Sequence, residues 1–310
     1  MPESTTVDPA GGNPVTGPAE SVSRWRTSRY LLDLSAPLVM GIVNVTPDSF
    51  SDGGRNANTS AALAHCEQLL ADGANILDIG GESTRPGSPA VPLEEELARV
   101  LPVVREATRL NVPLSVDTYK PEVMRAVLDL GADIVNDIWA LRQPGAAQVV
   151  ASHPQCGVCL MHMHRDPQTM QQAPMEGDPV QQVLSFLERA ALDLQGLGVE
   201  KSRIVLDAGI GFGKTVEQNF ALLAQQARLQ AAGYAWLAGW SRKSSLGAVT
   251  GLPVDQRLGA SVAAAVLAVE RGARIVRAHD VRDTVAALRV WQAMQAQQDA
   301  LRGSSATQPQ

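Results

Sequence analysis

The sequence predicts an α/β protein, a (β/α)8 TIM barrel, on three observations. Eight short apolar runs alternate with eight longer helix-forming runs from residue 38 onward. The short runs are rich in Val, Ile, Leu and Ala, as strands buried on both faces are. Each of them closes on residues with charge or hydrogen-bonding capacity, which is where a barrel of this kind builds a site. A doubly wound open sheet is the structural alternative, but it usually carries fewer repeats per domain.

The elements follow in order. Strands are expected at 38–43, 75–80, 113–117, 133–137, 157–162, 203–208, 235–239 and 273–278. Helices are expected at 59–72, 93–110, 120–130, 144–152, 179–197, 216–231, 257–271 and 280–299. Thr59 reads as an N-cap, Pro121 as a first-turn residue, and Asp280 as the residue before the last helix. Gly73, Gly131 and Gly272 read as helix stops. Residues 1–22 hold almost no large apolar side chain and read as a disordered leader. Residues 303–310 read as a flexible tail, which leaves 23–302 as one catalytic domain.

Composition narrows the function. Hydrophobic content of 45% with 19% charged residues is ordinary for a globular chain of 310 residues and sustains a sizeable core. A net charge of −6 argues against nucleic acid as the main partner, though not against a local basic pocket. No apolar run approaches the ~18 residues of a membrane span, and the N-terminus has no basic start followed by an apolar core. Three cysteines in no disulfide pattern fit a reducing cytoplasm.

The strand ends sort into two kinds of chemistry. Asp117, Asn136, Asp207 and Lys243 come from the middle of the strand order. They suit a heterocycle edge with amino and keto groups, because carboxylates accept and an amide both donates and accepts. Arg85, Arg277 and His279, with the hydroxyls of Ser83 and Thr84, suit phosphate oxygens. Asn44 and the aspartates Asp48 and Asp52 lie in the same arc once strands 8, 1 and 2 adjoin. Oxygen ligands beside phosphate are the usual setting for Mg2+.

The motifs GIVNVTPDSFSDGG (41–54), DIGGESTRPG (78–87), SVDTYKPEV (115–123), VNDI (135–138), LMHM (160–163), DAGIGFGKT (207–215), GWSRKSSLG (239–247) and RAHDV (277–281) together resemble the dihydropteroate synthase family. They stand in family order over most of the chain. The resemblance implies a transferase that condenses 6-hydroxymethyl-7,8-dihydropterin diphosphate with 4-aminobenzoate. It implies Asn44 as a ligand of Mg2+. It implies Thr84, Arg85, Arg277 and His279 around the diphosphate. Asp117, Asn136, Asp207 and Lys243 would grip the pterin, lined by Met161, Phe212 and Gly239. Phe50, Pro86, Ser241 and Arg242 would form the aminobenzoate pocket, with Asp52, Arg85 and Lys243 as the catalytic set. Residues 46–54 would act as a lid hinged at Gly53 and Gly54, and the family's common homodimer is an arrangement that the apolar stretches 260–267 and 285–294 would permit.

Four positions depart from the family pattern: Ala208, Arg165, Gln218 and Ser245, the last able to alter the aminobenzoate rim or a sulfonamide response. Other features invite different readings. Residues 208–215, AGIGFGKT, approximate a P-loop but lack its first glycine. Cys156 and Cys159 stand three apart, so on a strand they face opposite sides, and a buried structural role is expected. His162 and His164 share a face, and packing with loop hydrogen bonds is expected there rather than metal. Trp139 and Trp240 beside strand ends serve either as apolar cover or as part of the site. The rival functions are a non-catalytic pterin-binding homologue, which would be expected to lose a diphosphate or loop residue, and a pterin-dependent methyltransferase domain, which would not be expected to keep the STRPG and SRKS segments together.

Overall fold

A computed structural model of the chain describes residues 23–45, 54–83, 88–165, 170 and 174–305. Two short strands, β1 (Arg24–Arg26) and β2 (Leu31–Asp33), pair antiparallel as a hairpin. Eight strands then form the closed barrel: β3 (Leu38–Asn44), β4 (Ile76–Gly80), β5 (Leu114–Asp117), β6 (Ile134–Asp137), β7 (Gly157–Met161), β8 (Ile204–Asp207), β9 (Ala235–Ala238) and β10 (Ile275–Ala278). Every neighbour is parallel, and β10 closes on β3. All eight expected strands are present, and the open-sheet alternative is excluded by the closure.

The helices between strands are α1 (Gly54–Ala71), α2 (Leu93–Ala107), α3 (Pro121–Asp129), α4 (Ala146–Ser152), α5 (Pro179–Gly196), α6 (Val216–Ala224), α7 (Gln226–Leu229), α8 (Ser244–Thr250), α9 (Leu258–Glu270) and α10 (Val281–Ser305). Their starts follow local chemistry. Glu94, Glu95 and Glu96 occupy the first turn of α2, where carboxylates meet the helix dipole. Pro121 opens α3. Asp178 caps α5 by accepting from the Val180 N–H. Gly73, Gly131 and Gly272 all take left-handed backbone just past their helices.

Several boundaries differ from expectation. Thr59 is not an N-cap: α1 begins at Gly54, so Thr59 lies a turn inside it. Gly54 is therefore helical rather than a free hinge, and Gly53 lies outside the described residues. The helix expected at 216–231 breaks at Gln225 into α6 and α7. α8, unannounced by periodicity, adds a second helix between β9 and β10. α10 runs to Ser305, three residues into the expected tail. The leader at 1–22 and the tail beyond residue 305 lie outside the described residues.

Strand parity divides the core. Outward residues such as Val39, Val43, Leu77, Ile79 and Val116 pack under the helices in one large cluster. Inward residues Met40, Ile76, Ile134, Cys159, Val205, Leu237 and Ile275 fill the lower barrel with Trp25 and Leu34 from the hairpin. Cys156 belongs to the outer cluster and Cys159 to the inner one, so the pair does face opposite sides, and all three cysteines are free and buried.

The hairpin is the barrel's floor, and the sequence reading did not foresee it. Trp25 is fully buried and its indole N–H donates to the Arg203 carbonyl at 2.9 Å. Arg29 ties the same segment to the buried Asp133 carboxylate at 2.6 Å. Trp25→Ala is expected to cost about 3–5 kcal/mol, the usual range for deleting a buried Trp, measured as a lowered denaturant midpoint.

Candidate active site

Residues two apart share a face, so most inward rows turn from apolar to polar along their strands, while the β5 row is polar throughout and the β7 row ends in a methionine. On β4 the row is Ile76, Asp78, Gly80. On β5 it is Ser115, Asp117; on β6, Ile134, Asn136; on β7, Cys159, Met161; on β8, Val205, Asp207. On β10 the row is Ile275, Arg277, and the chain continues to His279. The polar ends thus come together at the C-terminal mouth by parity alone.

At the centre lies a charge cluster. Arg277 donates from Nε to Asp78 Oδ2 at 2.6 Å and from Nη2 to Asp117 Oδ2 at 2.9 Å. Asn136 donates from Nδ2 to the same Asp78 oxygen at 3.1 Å. Burial pushes the Asp117 carboxyl up to about 7; Arg277 opposes the shift and Asp78 adds to it. Burial works against the charge on Arg277, but Asp78 and Asp117 outweigh it and hold the guanidinium above its usual value. Arg277, expected beside diphosphate, is thus first of all the counter-ion of the acceptor-rich side. Its Nη1 takes no acceptor among the described residues, so one end of the fork stays available.

A second group surrounds Asp207. Its Oδ1 accepts from the Gly209 N–H at 2.8 Å, and burial raises the carboxyl above its ordinary value despite that bond. Gly239 stands near its other oxygen. Lys243 places Nζ 4.2 Å from the centre of the Phe212 ring, a cation–π distance. Burial holds the Lys243 ammonium down, at about 8, with Asp207 opposing the shift. Phe212 and Met161 join Ile138, Met163 and Met170 in an apolar wall. Trp139 stacks on Tyr119 at 5.2 Å and packs against that wall, whereas Trp240 is buried in the outer cluster beside Phe220. The two tryptophans left open by the sequence therefore divide: Trp139 borders the site and Trp240 is cover.

The third group is at the rim. Ser241 Oγ lies 3.0 Å from His279 Nδ1 and accepts the His279 main-chain N–H at 3.1 Å. Burial, with repulsion from Arg277 and Arg242, pushes His279 down to about 3, so it is a neutral imidazole at pH 7. With the Ser241 proton directed to Nδ1, Nε2–H is left as a donor. Arg242, in left-handed backbone, engages Asp280 with its guanidinium. Asn44 ends β3, next to β4 and β10. Phe50, Asp52, Thr84, Arg85 and Pro86 lie outside the described residues.

The sequence reading missed three supporting groups. Asp78 is one. A second is Lys120, which bonds both Glu82 and Glu96, while Thr118 donates to Glu96 at 2.6 Å and Tyr119 to Glu82 at 2.9 Å. The third is Lys214, whose Nζ is buried and donates to the carbonyls of His162, Gly209 and Phe212. That knot turns the lysine inward and disposes of the P-loop reading. The knot also requires Gly209, which has φ +65° and whose Cβ position would fall on the His162 carbonyl. His162 itself packs edge-on to Phe186 at 5.0 Å. Of the departures, Gln218 completes a capping box with Thr215. Ser245 is buried and accepts from Asn219, whose carbonyl oxygen holds the Gly211 N–H. Arg165 takes φ +66°, a conformation that glycine adopts without strain. Nothing in the structure accounts for Ala208.

Residues 40–279 match the family described as "Pterin binding enzyme". The chain is 47% identical over 276 residues to a dihydropteroate synthase of Neisseria meningitidis serogroup B, covering 87% of this chain and 97% of that one. It superposes with TM-score 0.82 on the Burkholderia cenocepacia dihydropteroate synthase complexed with 7,8-dihydropteroate, at 51% identity, over 90% of this chain and 98% of that one. The Xanthomonas albilineans dihydropteroate synthase with 4-aminobenzoic acid aligns at TM-score 0.83 and 50% identity, over 88% and 98% of the two chains. A closed parallel barrel with this polar mouth, matched over nearly its whole length by such relatives, belongs to the pterin binding enzyme family, among its dihydropteroate synthases.

Proposed function

We propose that the protein condenses 6-hydroxymethyl-7,8-dihydropterin diphosphate with 4-aminobenzoate, releasing 7,8-dihydropteroate and diphosphate. The observation that carries this is the sorting of the mouth. Asp117, Asn136 and Asp207 offer acceptors to the N–H-bearing edge of a pterin, while Arg277, Lys243 and the neutral His279 offer donors to an anion. The relatives crystallised with 7,8-dihydropteroate and with 4-aminobenzoic acid support the same two substrate classes.

In the reaction, the amine nitrogen of 4-aminobenzoate bonds to the pterin methylene carbon and the C–O bond to diphosphate breaks. The bonding pair leaves with diphosphate, and the attacking nitrogen gives up a proton. Nitrogens of the pterin ring can delocalise positive charge on the methylene, so C–O cleavage runs ahead of attack and no covalent enzyme intermediate is needed. Met161 and Phe212 would pack the ring, and Lys243 over Phe212 would meet pterin and anion together. Arg277 Nη1 and His279 Nε2–H would stabilise charge as it develops on the leaving group. Ser241 holds His279 in that tautomer. Thr84 and Arg85 would add diphosphate contacts, and Phe50, Asp52, Pro86, Ser241 and Arg242 would surround the aminobenzoate.

Mg2+ fits this site as an ion held chiefly through substrate. Among the described residues no three His, Cys, Asp or Glu side chains cluster to hold a metal. Asn44 brings one neutral oxygen to the rim beside β10. One amide oxygen with phosphate oxygens and water suits Mg2+, which rarely uses an all-protein cage. Held by Asn44, it would offset negative charge on the leaving diphosphate.

Purified protein with pterin diphosphate, labelled 4-aminobenzoate and Mg2+ is expected to form dihydropteroate. A folded protein that forms none overturns the reading and favours the non-catalytic homologue.

We further propose a cytoplasmic homodimer. Among the described residues no helix is long and apolar enough to cross a membrane, and the three free cysteines suit a reducing compartment. α9 and α10 pack side by side yet expose Leu267, Val290 and Met294, the last two at 72% and 43%. Val290→Glu with Met294→Glu is expected to convert a dimer to a monomer by sedimentation, with unchanged circular dichroism.

A further inference from the structure

Asp78 is completely buried in the barrel and contributes nothing to the apolar core. A lone acid in the five-residue strand Ile76–Gly80 is costly to bury without a purpose. Both of its partners belong to the proposed substrate site. Its Oδ2 accepts from Asn136 Nδ2 at 3.1 Å and from Arg277 Nε at 2.6 Å. Its other oxygen is buried and takes no partner among the described residues.

That pattern constrains both partners. A carboxylate salt-bridged to arginine accepts and does not donate. The Asn136 amide therefore has one permitted orientation: NH2 toward Asp78, carbonyl oxygen away from it. No protein donor among the described residues reaches that oxygen. Arg277 is constrained too, since Asp78 takes Nε and Asp117 takes Nη2, and only Nη1 remains free of both. A bare Asn could flip and present NH2, and a bare Arg could swing across the mouth.

We propose that Asp78 is a positioning residue for substrate recognition: by holding Asn136 and Arg277 together it fixes the Asn136 carbonyl as an acceptor for an N–H group of the pterin and directs Arg277 Nη1 to the anion. The inference rests on the substrate reading above. Asp78 touches no substrate itself; it acts through two residues that do, and it makes the row Asp117, Asn136, Asp207 uniformly accepting. The ligand class it selects is a 2-amino-4-oxo heterocycle, whose amino group and ring N–H both donate. A 2,4-dioxo analogue replaces one of those donors by an acceptor and is disfavoured.

The test uses the whole protein and three probes measured by calorimetry: 6-hydroxymethylpterin, the corresponding 2,4-dioxo lumazine, and inorganic diphosphate. Wild-type protein that binds no pterin would overturn the substrate reading itself. If wild type binds pterin, Asp78→Asn decides the present proposal. The Asn side chain keeps the shape but can donate to Asn136, allowing the flip. Pterin affinity is expected to fall at least tenfold, and the preference for pterin over lumazine to narrow. Diphosphate affinity is expected to fall, and the KM for 4-aminobenzoate at saturating pterin substrate to stay within twofold. Asn136→Ala should weaken pterin binding in wild type but add little in the Asp78→Asn background. Fully additive losses, or unchanged pterin affinity in a folded Asp78→Asn protein, overturn the proposal.

Asp137→Asn is the structural comparison. Asp137 is just as buried, but among the described residues its carboxylate accepts only from the main-chain N–H groups of Trp139 and Leu141. It should lose stability without losing pterin selectivity. Should Asp78→Asn fail to fold, wild type still answers. The Asn136 side-chain NH2 protons are expected to exchange slowly with solvent in NMR spectra of the ligand-free protein, and exchange as fast as for a surface Asn would overturn the proposal.

Discussion

Arg277→Ala is expected to abolish turnover and to destabilise the protein. The destabilisation follows because Arg277 is the shared partner of two buried carboxylates, Asp78 and Asp117. Breaking such a buried pair from one side typically costs about 3–5 kcal/mol, since the remaining charge is left uncompensated. Loss of the donor proposed to face the leaving group should cost about 10²–10³-fold in kcat in addition. The stability defect has a pH signature. Burial already holds Asp117 at about 7 with Arg277 opposing the shift, and removing Arg277 raises it further. A carboxyl whose folded pKa exceeds its unfolded value destabilises the fold as pH rises from about 4, its ordinary value. The Tm gap between wild type and Arg277→Ala should therefore be wide at pH 8 and narrow at pH 5. Arg277→Lys, which keeps a charge but not the fork, should recover much of the Tm and little of the activity. A gap that does not change with pH would show that the carboxylates are not the cause.

Lys243 should set the alkaline limb of activity. Its ammonium is held at about 8 mainly by burial, with Asp207 working the other way. The charged form is the one proposed to meet an anionic substrate. As pH rises through 8 the proton is lost, and kcat/KM for the pterin diphosphate should fall with it. Bound substrate adds negative charge and raises the lysine, so the limb in kcat should lie at higher pH than the limb in kcat/KM. Lys243→Arg should move the limb beyond the measurable range, because a guanidinium stays protonated. Lys243→Ala should lose about 10²–10³-fold at pH 7. An unchanged limb in Lys243→Arg would assign the titration to another group.

Much of the barrel was legible because two periodicities agree. Apolar runs of strand length alternate with helix-length runs, and glycine stops such as Gly73 and Gly131 separate them. The site was legible for the same reason: Asp117, Asn136, Asp207 and Arg277 sit at strand ends, and parity turns them inward together. What escaped has a physical explanation in each case. The hairpin strands are three residues each, too short for a period-two pattern, and Trp25 shows its role only through Arg203 far along the chain. α8 has seven residues, including Gly247, and carries little helical signal. Thr59 has cap chemistry, but helix formation had already begun five residues earlier. Asp78 was obscured within its own motif, 78–87, by the hydroxyls and arginine that come after it. The usable signal was its parity with Gly80 in a strand of otherwise apolar side chains, since an ion is not buried there without partners. The role of Lys214 was not legible because sequence spacing cannot tell whether a lysine points to solvent or into its own loop.

The floor of the barrel also sets a schedule for its assembly. The indole of Trp25 finds its acceptor 178 residues later in the chain. On a ribosome adding ~5–20 residues per second, that partner is made roughly 10–35 s after the tryptophan. Through that interval the first strands exist without their base, and a large aromatic side chain waits with nowhere to dock. The N-terminal hairpin is thus synthesised first and seated late. A chain halted before Arg203 should expose Trp25 to a collisional fluorescence quencher, and one extended past β8 should shield it.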